Sequence, residues 1–122
     1  MPLYMTETNF AEESLIAMAE HPSDRPAQIA KVIESFGGHL LHFYWVFGDM
    51  DAITIYEAPD NEAVMSILLT LSHGGAIQGH KTLSLLSNEA AMAAMEHAGT
   101  VDTGYTSAVA EWTGWQDEGG EG

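Results

Sequence analysis

The alternation of apolar and polar residues turns on one stretch, HLLHFYWVFGDMDAITIYE from His39 to Glu57, where two apolar and aromatic runs are interrupted only by Gly48, Asp49, Met50 and Asp51. Strand-forming residues on both sides of a short Gly/Asp segment predict a β-hairpin. A hairpin alone is not stable in water, so the flanking segments must supply another strand and a covering layer. Upstream, LYMTETN from Leu3 to Asn9 alternates bulky and polar residues and reads as a strand. A short helix is predicted over Ala11 to Glu20, with Phe10 placed to staple its start and Pro22 ending it. A second helix follows. Ser23 or Asp24 can cap it, Pro26 suits its first turn, and Ile29, Val32, Ile33 and Phe36 fall on one face. Gly37 and Gly38 release the chain from that helix into the hairpin.

Strict alternation in the first hairpin strand puts Leu41, Phe43, Trp45 and Phe47 on one side, and Leu40, His42, Tyr44 and Val46 on the other. That much apolar and aromatic surface on both sides implies helices over one face and another subunit over the other. The second hairpin strand runs from Ala52 to Tyr56. Asp60 then caps a helix with Glu62 in its first turn and Val64, Ile67, Leu68 and Leu71 as its buried stripe, ending at Gly74-Gly75. Ile77 to Leu86 reads as a fourth strand. Ser87 caps a last helix to about His97, whose apolar side (Ala91, Met92, Ala94, Met95, Ala98) is built from small residues and methionines. Beyond Gly99 the periodicity fails. Tyr105, Val109, Trp112 and Trp115 are spaced as in an extended arm with one short ordered element, and an acidic tail begins at Gln116. The expected division is a folded domain over residues 1–99 and an arm with tail over 100–122.

Composition narrows the partners. The chain has 122 residues, 46% of them hydrophobic, which is one domain's worth of core. Eighteen acidic against three basic side chains, Arg25, Lys31 and Lys81, give a formal net charge of −15. Phosphate neutralisation needs clustered Lys and Arg, so neither a nucleic acid nor an anionic membrane surface is expected as partner. The absence of cysteine excludes disulfides, thiolate catalysis and cysteine-held metal centres. With no apolar run of membrane-spanning length and no basic leader, a cytoplasmic protein is expected.

Two strand-helix-strand units of unequal length suggest a split βαβ arrangement. The residues that fill it resemble the GYD-domain family: Arg25 ahead of the first long helix, Phe36-Gly37-Gly38 at its end, Phe43-Tyr44 in the next strand, Gly48-Asp49-Met50-Asp51 at the turn, then Glu57-Ala58-Pro59-Asp60 and Thr82-Leu83. The likeness covers roughly residues 3–95, with Met50 where the family's turn carries tyrosine. It implies an α+β, ferredoxin-like split βαβ sandwich with a four-stranded antiparallel sheet of the dimeric α-β barrel type, associating into homodimers or higher oligomers. It implies no particular reaction.

Histidine is the residue type with the most evident chemistry: His21, His39, His42, His73, His80 and His97. No HExxH or comparable pattern occurs, so no metal site and no cofactor are expected. His39 and His42 lie three apart on a strand and point to opposite faces unless a bulge intervenes. His42 and His80 are expected on the face away from the helices, on opposite edge strands of a 4-1-3-2 sheet, ~14 Å apart at ~4.8 Å per strand interval. Thr6, Thr54, Tyr56 and Thr82 are expected on that same face, with Tyr44 beside His42. Such a half-polar surface would bind a small, partly apolar organic molecule or form a wet subunit contact. As an enzyme the protein would be a cofactor-independent oxidoreductase or isomerase, with His42 as base and Tyr44 or His80 positioning substrate. The alternative is a noncatalytic structural or regulatory homo-oligomer. Asp49 and Asp51 read as turn residues bonding their own backbone. Arg25 could hold an anion near its helix start, or serve as a cap or in a salt bridge to an acidic neighbour.

Overall fold

The computed structural model describes residues 1–113, which form two compact units, Met1–Leu86 and a second that begins at Ser87. The first contains β1 (Leu3–Phe10), α1 (Glu12–Glu20), α2 (Arg25–Ser35), β2 (His39–Trp45), β3 (Ala52–Glu57), α3 (Asn61–His73) and β4 (Ile77–Leu85). The four strands pair antiparallel in the order β2-β3-β1-β4, the split βαβ order. The second unit contains α4 (Asn88–Thr100) and the short α5 (Ala108–Thr113). Trp115 and the acidic tail lie outside the described residues. No helix of the described chain is long and apolar enough to cross a membrane.

The helix boundaries follow from local chemistry. Asp24, Asp60 and Ser87 each accept a hydrogen bond from the backbone N–H three residues on, at 3.1, 2.8 and 3.0 Å, which satisfies donors that the first helical turn leaves open. At the end of α2 the Gly38 N–H reaches Ile33 O and the Gly37 N–H reaches Glu34 O, both at 3.0 Å. This is the paired closure of a Schellman end, and Gly37 takes the left-handed φ of +85° that it requires. Gly38 is needed for a different reason. A Cβ there would collide with the Glu57 carbonyl and stand 2.9 Å from Ile33 Cγ2, so the backbone just after α2 lies directly against the end of β3.

One face of the sheet carries the core. Tyr4, Thr6, Thr8 and Phe10 of β1 alternate with less buried neighbours, as do Ala52, Thr54 and Tyr56 of β3, and all seven are buried under the helices. Tyr4, Tyr56, Ile29, Ile33, Val64, Ile67, Leu68 and Ala58 form one cluster, with Leu40, Phe43 and Leu71 packed against it. The opposite face presents Leu3 and Met5 of β1 and Ile53 and Ile55 of β3, all half-buried, in register with Leu83 and Leu85 of β4 and with Tyr44 and His42 of β2.

Strict alternation fails in β2. Leu40 pairs with Tyr56 but His42 pairs with Ile55, so Leu41 is the extra residue of a bulge. Leu40, Phe43 and Trp45 therefore share the helix side, whereas His39, His42 and Tyr44 share the other. Leu40 does not lie beside His42 as alternation predicts, and His39 and His42 fall on one face. A second irregularity, between Asn9 and Phe10, makes Ile77 the partner of Phe10. The Asp51 carboxylate accepts from the Phe10 N–H at 2.9 Å, while the Asp51 N–H donates to Thr8 O at 2.9 Å. Asp51 thus fastens the hairpin turn to the end of β1, a contact across the sheet that turn chemistry alone does not predict.

Candidate functional site

The polar residues expected on the uncovered face are found on the other side of the sheet. Thr6 and Thr54 are directly paired, as are Thr6 and Thr82, and Tyr4 pairs with Tyr56, so Thr6, Thr54, Tyr56 and Thr82 share the helix-covered face. The correction has a simple cause. Alternation fixes which residues share a face but not which face is buried, and the hydroxyls made Thr6, Thr54 and Thr82 look like solvent-side residues.

These hydroxyls fall into two groups. The Thr6 Oγ1 is 2.9 Å from both the Tyr56 hydroxyl and the Thr82 Oγ1, giving a chain of hydrogen bonds across three strands. Tyr56 stacks on Tyr4 with ring centroids 5.9 Å apart, and the Tyr4 hydroxyl donates to Asn61 Oδ1 at 2.7 Å. Burial pushes the Tyr56 pKa above its ordinary value of 10.0, partly opposed by its hydrogen bonds to Thr6 and Thr82. The second group is Thr8 and Thr54, which are 7% and 5% exposed. Their hydroxyls form no hydrogen bond among the described residues. No fully enclosed side-chain oxygen there lacks a partner, so these two keep access to open space.

That space is a cavity between the sheet and the α2–α3 layer, with about 60 Å³ open to the centre of a water-sized sphere. Apolar side chains make most of the wall, including Ile29, Ile33, Phe43, Ile67, Leu68 and Leu71. The polar part consists of Thr6, Thr8, Thr54, Tyr56 and Arg25. Phe10, Arg25 and Ala76 also line a shallower groove beside α1, so these three stand between the enclosed space and that groove. The cavity is roomy enough to hold at least one water-sized group. Its chemistry is that of a binding pocket, an apolar enclosure with a few convergent hydroxyls.

The proposed catalytic trio is divided. His42 and Tyr44 lie together on the face of the sheet opposite α2 and α3, their rings 6.2 Å apart and nearly parallel at 12°. His80 is in register with Thr8, on the helix-facing side of the opposite edge strand. The expectation that His42 and His80 share a face is therefore wrong. The register of β4 puts His80 in phase with Thr82, which bonds to the buried Thr6. Although the bulge puts His39 and His42 on one face, no group of three or more His, Asp or Glu among the described residues is placed to hold a metal ion.

Thr8, Ala52 and the mouth residues Phe10 and Ala76 were not singled out by residue chemistry. Thr8 had a legible signal, since Tyr4, Thr6, Thr8 and Phe10 form one alternating set.

Comparison with known proteins agrees with this geometry at the level of fold. The GYD domain model matches residues 4–95. Among solved structures, the chain is similar to the crystal structure of MtbAldR, with a TM-score of 0.53 and 16% identity over 71% of this chain and 52% of that one. It is also similar to the transcriptional regulator NMB0573 from Neisseria meningitidis, solved as a complex with L-Met, with a TM-score of 0.47 and 13% identity over 71% of this chain and 51% of that one. The chain thus spans about half the length of each. No curated protein matches the sequence.

Proposed function

This chain belongs to the GYD-domain family, and from that premise we propose that it is a self-associating binding module that holds a small, mostly apolar molecule between its sheet and the α2–α3 layer. The observation that carries this reading is the pair Thr8 and Thr54, 7% and 5% exposed, whose hydroxyls have no hydrogen-bond partner among the described residues and open onto an otherwise apolar cavity. A hydroxyl facing open space keeps its hydrogen-bonding capacity free, and a ligand's polar group placed against it gains about 0.5–1.5 kcal/mol. Self-association is supported by Met5, Ile53, Ile55, Leu83 and Leu85, which give the second face of the sheet an apolar surface. A second copy laid on that face would complete the sandwich. The large acidic excess supports a small-molecule ligand over a nucleic acid.

The reading is one of binding and sensing rather than turnover. Oxidation or isomerisation at the stacked His42–Tyr44 pair is a second reading, favoured by the 6.2 Å approach of two titratable rings. It would place the chemistry on the opposite face from the cavity, so the two are separable by mutation.

The test is a thermal-shift screen with small, partly apolar organic molecules, run on the wild type and on Ala76→Leu, which adds bulk between the cavity and the groove beside α1. Binding compounds should raise the melting temperature of the wild type and not of Ala76→Leu. Equal shifts in both would place the bound molecule elsewhere and overturn the assignment.

A further inference from the structure

We propose that the cavity selects a short-chain carboxylic acid, its carboxylate held by Arg25 at the mouth and its tail enclosed by the α2–α3 wall. This rests on the binding reading above and adds the chemical class of the ligand. Arg25 is one of three basic residues in a chain with 18 acidic ones, yet among the described residues it forms no ion pair. Its only hydrogen bond there is a long one, from Nη1 to the Ser23 hydroxyl at 3.3 Å. The adjacent acid, Asp24, is engaged elsewhere, accepting from the Ala27 N–H at the start of α2. Arg25 is partly exposed, and a guanidinium with this little engagement retains most of its donors for a planar anion.

The rest of the lining sets the ligand's other end. Arg25 stands with Phe10 and Ala76 between the groove and the enclosed space, so an acid bound there would enter tail first. The apolar wall of Ile29, Ile33, Ile67, Leu68 and Leu71 suits a short alkyl tail. Thr8 and Thr54, 7% and 5% exposed and without partners, would favour a hydroxyl or oxo substituent over a bare alkyl chain. The acidic surface repels anions at long range, so the interaction is measured at about 0.15 M salt, where charges beyond about 8 Å are largely screened.

The experiment is calorimetric titration of the full chain with butyrate, 2-hydroxybutyrate and the uncharged butyramide, repeated on Arg25→Gln and Arg25→Lys. A charge-assisted hydrogen bond predicts that butyrate binds at least about tenfold more tightly than butyramide, and that Arg25→Gln abolishes the difference while Arg25→Lys keeps part of it. Arg25 is partly exposed at a helix start, and an unchanged melting temperature of the free variants confirms that they fold. If butyramide binds the wild type as well as butyrate does, or if Arg25→Gln keeps the preference, the assignment to Arg25 is overturned while the cavity reading survives. If none of the three compounds binds, the short-chain acid assignment is overturned, and the cavity reading is decided separately by the thermal-shift screen.

Discussion

The two threonines that pair directly across β1 and β3, Thr6 and Thr54, offer a paired test, because the same substitution should have opposite consequences at each. Valine has threonine's shape without the hydroxyl, so Thr→Val isolates the hydrogen-bonding term. In Thr6→Val, two contacts of 2.9 Å are lost, to the Tyr56 hydroxyl and to Thr82 Oγ1, and buried polar atoms are left short of a partner. At about 0.5–1.5 kcal/mol for each bond the loss is about 1–3 kcal/mol. For the unit Met1–Leu86 that corresponds to a fall in melting temperature of roughly 5–20 °C. Thr54→Val removes a hydroxyl that bonds to nothing in the described chain, so stability should change by less than about 0.5 kcal/mol or rise. Any ligand that uses this hydroxyl should bind roughly fivefold or more weakly to the variant. The assay is thermal and urea denaturation at one fixed protein concentration, since the proposed self-association would make melting concentration-dependent. Equal destabilisation by both variants would mean that Thr54 has a fixed partner, and the argument for a polar handle in the cavity would fail.

Three further outcomes follow from the same structure. Tyr56 is held neutral above its ordinary pKa of 10.0 by burial, so the folded state keeps a proton that the unfolded chain gives up first. Its contribution is intact below pH 10 and is lost as pH rises from there towards the folded-state value, so Tyr56→Phe should flatten the alkaline limb of the stability profile relative to wild type. Gly38→Ala should destabilise by about 1–3 kcal/mol in denaturant melts, because the new Cβ meets the Glu57 carbonyl and the 1% exposed Ile33; a neutral result would mean that α2 can move off the sheet. Ile55→Lys puts a charge in the middle of the apolar sheet face and should shift sedimentation towards the 13.2 kDa monomer without unfolding the chain.

Much of this fold was legible because its punctuation is local. Asp24, Asp60 and Ser87 cap the helices that their positions predict, and Gly37-Gly38 ends α2 as a glycine pair after an apolar stripe should. The order β2-β3-β1-β4 follows from the split βαβ reading. What sequence reasoning missed depends on register and on which face is covered. The bulge at Leu41 moves Leu40 to the helix side and His39 to the other, and no residue type in HLLHFYW announces it. Thr6, Thr54, Tyr56 and Thr82 were legible as a set that shares a face, but their hydroxyls pointed to the wrong face. Only the three-strand hydrogen-bond chain shows how such residues are buried. Arg25 was visible as a possible anion site, and the absence of a bonded acidic neighbour among the described residues is a fact of three dimensions.

The most direct test of the cavity is methyl-resolved NMR of the wild-type chain with a saturating short-chain acid or its amide. Intermolecular NOEs from the ligand to the Ile67 and Leu71 methyls and to the Thr54 methyl are predicted, with Met5, Ile55 and Leu83 on the opposite face untouched. NOEs confined to Met5, Ile55 and Leu83, or none to the α2–α3 wall at saturation, would contradict it.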